Sequence, residues 1–287
     1  MSGIWSYDAG VRLIDSHCHL QADRFDEDVE LVVGAARLAG VERILVPGWD
    51  LASSRAALKL LARFPWLDAA VGIHPHNAAP LDELGWAEIV ALAADPRVVA
   101  IGETGLDFDR VFSPIDDQLV NLRRHLALSM ELGKPAILHV RSAENRRDAQ
   151  DALVTELRDA GFGGPHAAAA FGDRPGVVIH SFSGPLDFAR TVLDLGLAIS
   201  ISGLAFRAGE ESTAEVAALV PLDRLLIETD SPYLSPPGAP RRRNEPEWVR
   251  LTADWVAARR GIPIVELGDA LVAAYDRTFP GSAAKRG

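Results

Sequence analysis

The chain of 287 residues contains one cysteine, Cys18, so no intrachain disulfide can form. A fold held without disulfides suits a reducing compartment, and a cytoplasmic location is the expectation. No apolar run approaches the ~20 residues needed to cross a bilayer, so no membrane partner is expected. Met1 to Gly10 has neither a basic start nor an apolar centre and does not read as a secretory signal. Basic charge is also in short supply. Lys and Arg number 29 against 40 Asp and Glu, a formal net charge of -11. That balance argues against a protein that coats duplex DNA by broad phosphate neutralisation. It leaves open an enzyme that grips a nucleic-acid end in a local site. There is no internal sequence repeat. No glycine-rich phosphate loop follows the first strand-like run, which disfavours an open doubly wound sheet.

What is present is a regular alternation. Hydrophobic residues make up 48% of the chain, enough for a sizeable core. Near-continuous aliphatic runs predict strands over 11–15, 42–46, 67–72, 97–102, 136–140, 177–181, 197–201 and 224–228. Such runs suit parallel strands buried on both faces. Helical periodicity fills the intervals at 27–39, 51–63, 82–94, 114–132, 143–160, 185–195, 212–219 and 245–260. Gly40, Gly133, Gly161 and Gly196 each close a helical pattern, and Ser113-Pro114-Ile115-Asp116 reads as an N-cap followed by a first-turn proline. These β-then-α units predict an α/β fold, a (β/α)8 TIM-type barrel forming one domain over 1–287 with its core at about 11–280. An additional C-terminal helix is expected near 263–278. Two stretches break the rhythm. Gly161 to Gly176 reads as a surface loop, and proline-rich Ser231 to Pro246, with Arg241-Arg242-Arg243, as a long loop after the last strand.

The chemistry gathers at strand ends. His17 and His19 lie two apart after the first strand and so share a face. His74, His76, His139 and His180 also lie at or just past strand C-termini, while His125 and His166 do not. Glu103 and Asp230 follow strands four and eight. A single histidine at such a place is more often structural than a ligand. In a barrel, however, all these strand ends converge on one pocket, and buried carboxylates without partners cost several kcal/mol each. Metal coordination answers that cost. His17, His19 and Asp230 can hold one ion, His139 and His180 a second, and Glu103 can bridge them. Two divalent cations are therefore expected, with Mg, Mn or Zn as candidates.

Longer blocks surround these residues: Ile14-Asp15-Ser16-His17-Cys18-His19-Leu20, Gly72-Ile73-His74-Pro75-His76 and Ile101-Gly102-Glu103-Thr104-Gly105-Leu106-Asp107-Phe108. Leu138-His139-Val140-Arg141-Ser142-Ala143, His180-Ser181-Phe182-Ser183-Gly184, Glu228-Thr229-Asp230-Ser231-Pro232-Tyr233-Leu234 and Arg243-Asn244-Glu245-Pro246 complete the set. In this order they resemble the TatD family of metal-dependent deoxyribonucleases, among the amidohydrolase-like barrels. By that resemblance His17, His19, Glu103, His139, His180 and Asp230 fall on metal-binding positions. The resemblance also implies a substrate, the phosphodiester backbone of nucleic acid, with single-stranded DNA or a 3′ end of DNA as the partner. The chain departs from the family pattern at Ser181, at Ser142-Ala143-Glu144, at Phe108 and Asp109, and in the apparent insertion Gly161 to Gly176.

The expected reaction is hydrolysis by a metal-activated water, whose pKa falls from 15.7 to about 7 on coordination. Asp230 and Glu103 are the catalytic candidates, Asp230 orienting or deprotonating the water. Arg141, Arg207 and Arg243 are candidates for binding phosphate, as are His74 and His76, which can instead serve as partners of the ligands. Phe108 and Phe182 can stack on a base or simply pack. Strand alternation turns Cys18 away from its flanking ligands, leaving it inert. Two rival readings are a hydrolase of another anionic ester or amide, such as an aminoacyl ester, and a non-catalytic scaffold. The arginine-rich rim favours an anionic substrate, and the full ligand set argues against a scaffold.

Overall fold

The computed structural model describes residues 10–79 and 81–283. The reading of Met1 to Ala9 as lacking a signal, and the extreme ends of the 1–287 domain, lie outside the described residues. Eight parallel strands follow in order: β1 Leu13–Asp15, β2 Val41–Pro47, β3 Asp68–Val71, β4 Val98–Asp107, β5 Ala136–Arg141, β6 Val177–Ile179, β7 Ala198–Ile201 and β8 Leu225–Ile227. The ring closes where Ser16 N–H donates to Ile227 O at 3.0 Å and Cys18 pairs with Ser231. The helices are α1 Val29–Leu38, α2 Leu51–Arg63, α3 Glu83–Ala93, α4 Ile115–Leu132, α5 Asp148–Asp159 and α6 Pro165–Phe171. They continue with α7 Leu186–Asp194, α8 Ser212–Leu219, α9 Val249–Arg260, α10 Ile264–Thr278 and α11 Pro280–Ala283. The strands are almost wholly buried, as parallel strands between a filled interior and a helical shell must be.

The expected barrel and its C-terminal helix are both present. Boundaries differ in ways that matter for the pocket. β4 runs on to Asp107, well past the expected end at 102. α5 begins only at Asp148, so residues 143–147 join the loop at the barrel mouth. The segment expected as a bare loop from Gly161 to Gly176 contains α6, which starts at Pro165 after Gly164 and runs through the alanine stretch. Proline suits a first helical turn and alanine suits its interior. The flanking glycines had masked both signals. Ser113 is not the N-cap of α4; that position is Pro114. The Ser113 hydroxyl instead donates to His76 O and accepts from Ala79 N–H, fastening the loop that carries His76.

Two features aim the strand ends. Ile101 pairs with Ala136 and Thr104 with Leu138, so β4 carries one residue more than β5 between them. This bulge contains Gly102 and Glu103; such an extra residue re-aims a side chain beside a site. Gly105 has φ +140°, and a Cβ there would fall 1.9 Å from His139 O. Only glycine lets β4 lie this close to the strand that presents His139. At the opposite end α10 closes the barrel, its Tyr275 hydroxyl donating to the buried carboxylate of Asp68 at 2.9 Å.

Candidate metal centre

The six residues expected to bind metal do converge. His17 Nε2 lies 3.2 Å from His19 Nε2 and 3.2 Å from Glu103 Oε2. Asp230 Oδ1 is 3.8 Å from the first ring nitrogen and 3.5 Å from the second. The other Glu103 oxygen, Oε1, faces His180 Nε2 at 2.8 Å, His139 Nδ1 at 3.5 Å and His74 Nε2 at 3.4 Å. The two oxygens of one carboxylate thus address two separate groups of imidazoles.

Tautomers follow from the outer partners. His19 Nδ1 lies 3.2 Å from Pro47 O, and a carbonyl only accepts, so Nδ1 carries the proton. Its Nε2 lone pair therefore faces the cluster when the ring is neutral. Glu228, fully buried, accepts from Ser181 N–H at 2.7 Å and lies 3.2 Å from His180 Nδ1. Asp107 lies 3.3 Å from His139 Nε2 and 2.8 Å from His76 Nε2. Asp15 accepts from Thr229 N–H and hydroxyl at 3.0 and 2.6 Å and from His17 N–H at 3.3 Å. Asp230 sits at φ +54°, an uncommon left-handed position that its N–H bond to His17 O helps to fix.

The electrostatics are unusual. Glu103, Glu228, Asp230 and Asp107 meet here, and among the described residues none of them pairs with a lysine or arginine. Burial works to raise the pKa of Glu103, but the facing imidazoles, His180 first, outweigh it and hold the carboxyl well below its usual range. Burial likewise works to lower that of His180, but Glu103 and Glu228 push it well above the ordinary imidazole value. Burial lowers His74 to about 4, leaving that ring neutral. Converging carboxylates that meet imidazoles but, among the described residues, no lysine or arginine call for further positive charge. The donors fit a cation. His180 Nε2 makes no hydrogen bond despite its short approach to Glu103, and His17 Nδ1 also has no partner.

Around the cluster opens a cleft of about 1560 Å³. His74, His76, Arg141 and Arg207 line it as expected, joined by Arg24, Arg110, Arg146, Arg241 and Arg242. Arg141 pairs with Asp109 at 2.7 Å on the rim. Arg243 is elsewhere. Its guanidinium grips Asp28 and Glu245 and lies over the Phe25 ring, so it braces the long loop and is not available to a phosphate. Phe182 is buried against Phe188, and Phe108 packs on the core; neither presents a face to the cleft. Cys18 is buried, and burial pushes its thiol up, in keeping with an inert residue. Asp107 and Glu228 were overlooked in the sequence, yet a signal existed. Asp107 lies four residues after Glu103 on β4, and Glu228 two before Asp230, the same even spacing that relates His17 to His19.

The sequence model of the family described as "TatD related DNase" matches residues 14–280. The uncharacterized metal-dependent hydrolase YabD of Bacillus subtilis is 33% identical over 267 residues, covering 93% of this chain and 98% of that one. The 3'-5' ssDNA/RNA exonuclease TatD of Klebsiella pneumoniae is 36% identical over 255 residues, covering 87% and 90%. Among solved structures, YJJV, a TatD homologue from Escherichia coli K12, has a TM-score of 0.82 at 30% identity and covers 94% of this chain and 98% of its own. Sequence and fold agree across nearly the whole barrel: the chain belongs to the TatD-related DNase family of metal-dependent hydrolases.

Proposed function

We propose that the chain is a two-metal exonuclease that removes nucleotides from the 3′ end of single-stranded DNA or RNA. The observation that carries this reading is the division of Glu103, with Oε2 toward His17 and His19 and Oε1 toward His139 and His180. In this reading His17, His19 and Asp230 would hold one ion and His139 and His180 another, with Glu103 available to both. His74, beside Glu103 Oε1, is a further candidate for the second site. Bound divalent ions supply Lewis acidity, which acidifies water and offsets charge on phosphoryl oxygens. Mn²⁺, Mg²⁺ and Zn²⁺ are the candidates.

The protein's own groups do the rest. Asp230 would orient or deprotonate the attacking water; the His19 and His17 rings overcome burial and keep its carboxyl ionised. Glu228 and Asp107 keep the ring nitrogens of His180 and His139 aimed inward. Arg141 and Arg207 bind backbone phosphates along the cleft. The cleft volume exceeds the ~300–1,000 Å³ of ordinary small-molecule pockets, which favours an oligonucleotide over a mononucleotide. Relatives named as 3'-5' ssDNA/RNA exonucleases support this substrate class and direction of attack. The proposed location is the cytoplasm, which suits a lone, buried and unpaired Cys18.

The test is cleavage of a 3′-labelled single strand by metal-free protein with and without added Mn²⁺ or Mg²⁺, beside amide and carboxylic ester substrates. Metal-dependent, stepwise 3′ shortening supports the reading; cleavage of the amide or ester alone overturns it. Asp230→Asn should keep its fold and lose most activity, and full activity would remove Asp230 from this role.

A further inference from the structure

Two large aromatic side chains stand exposed near the cluster: Tyr233 lines the cleft, and Phe112 lies beside it against His76, which does line it. Phe112, in the loop after β4, is 70% exposed, and Tyr233, in the loop after β8, is 53% exposed. Among the described residues every other phenylalanine, tyrosine or tryptophan ring is buried or half-buried. In a ring of eight strands, the loops after β4 and β8 lie across the mouth from one another. Each aromatic also flanks a different half of the carboxylate–imidazole cluster. The Phe112 ring meets His76 edge-on, with centroids 4.7 Å apart, and His76 bonds Asp107, the partner of His139. The Tyr233 ring lies 6.3 Å from that of His19, also edge-on.

Charge accompanies each ring. Arg110 and Arg141 line the cleft on the Phe112 side, and Arg24, Arg241 and Arg242 on the Tyr233 side. Arg24 is held there by bonds to Pro232 O and Arg242 O. An aromatic face beside guanidinium groups is the pairing that single-stranded nucleic acid requires, one surface for a base and one for its phosphate. A duplex cannot use it, because its bases are already stacked on each other.

We infer that Phe112 and Tyr233 are two base-stacking platforms, one on each side of the cleaved phosphodiester. The inference rests on the nucleic-acid reading above and adds to it which residues hold the bases. The strand lies across the carboxylate floor, its scissile phosphate over Glu103 and the bases to either side on Phe112 and Tyr233. Specificity for single strands then comes from the need to splay two neighbouring bases, with little preference among the four bases because each has a π face.

The experiment measures binding of short single strands under non-cleaving conditions, with Ca²⁺ in place of Mn²⁺. The strands carry 2-aminopurine, or an abasic residue, at each of the last three positions in turn. Phe112→Ala and Tyr233→Ala should each weaken binding about tenfold. Each variant should be insensitive to an abasic residue at one position, and the two positions should be adjacent. Phe112→Trp should restore binding and Phe112→Leu should not, which separates stacking from simple apolar contact. Loss of the same factor at every position, or no loss, overturns the inference while leaving the nuclease reading intact. So does a change confined to oligomeric state, which would make the Phe112 patch a contact between copies of this chain. Absence of any oligonucleotide binding by the unaltered protein would instead overturn the nuclease reading.

Discussion

The two ends of this barrel treat acidic charge in opposite ways. At the closed end Asp68 and Glu42 have conventional partners. Asp68 accepts from the Tyr275 hydroxyl, and Glu42 takes both arms of Arg12. At the open end the side chains that Glu103, Asp230, Glu228 and Asp107 meet are mainly imidazoles, with no lysine or arginine among the described residues, and His17 Nδ1 and His180 Nε2 are left without a hydrogen bond. The closed end is built to be satisfied by the chain itself. The open end is built to be completed by something positive from outside. Charge at one end therefore belongs to stability and at the other to function, and substitutions should sort accordingly.

Glu103→Gln should break the comparison most sharply. It keeps the shape and removes the charge from the centre of the cluster. Activity should fall by more than about a hundredfold, beyond the ~10–100-fold usual for groups that only support ligands. Next comes Glu228→Leu, which removes the acceptor behind His180. Metal affinity, read by calorimetry, should fall by about 10–100-fold, with Glu228→Gln recovering part of it. A loss of one whole ion from the stoichiometry would make Glu228 a ligand itself.

Tyr275→Phe tests the other end. It leaves the Asp68 carboxylate without that donor and should cost about 1–3 kcal/mol in urea unfolding, with activity per folded molecule unchanged. His125 sharpens the comparison from a third position, for it is a histidine treated as the closed end treats its groups. Its Nδ1 donates to Asn121 O and its Nε2 accepts from Ile73 N–H, and burial lowers its pKa from 6.5 to about 4. Between those values the unfolded chain takes up the proton and the folded chain resists it. Its contribution to stability is thus full above about pH 6.5 and is lost as pH falls toward 4. His125→Gln should be less stable than the unaltered protein at pH 7.5 by about 1–2 kcal/mol, with the gap narrowing by pH 4.5. A constant gap would show that His125 titrates normally.

The same contrast explains what could be read from the sequence. The barrel was legible because parallel strands buried on both faces write themselves as aliphatic runs, and the punctuating glycines mark where helices stop. The inward-facing histidines were legible because strand parity is strict and a barrel gathers its strand ends. What stayed hidden depends on where long side chains go. Arg241, Arg242 and Arg243 are identical neighbours in sequence, yet the first two line the cleft and the third is taken by Asp28 and Glu245. Phe108 and Phe112 lie one helical turn apart in number, but the first packs on the core and the second stands in solvent. The bulge at Gly102 and Glu103 is likewise a property of the pairing between two strands and has no mark in either alone. The helix within Gly161 to Gly176 was obscured by the glycines around it.

The central claim is that one carboxylate, Glu103, joins two ion sites. Titration of metal-free protein with Mn²⁺, followed by electron paramagnetic resonance, tests it most directly. The account predicts two ions per chain whose spectra are spin-coupled through the shared carboxylate, and loss of that coupling in Glu103→Gln. A single ion per chain, or two that remain magnetically independent in the unaltered protein, would contradict it.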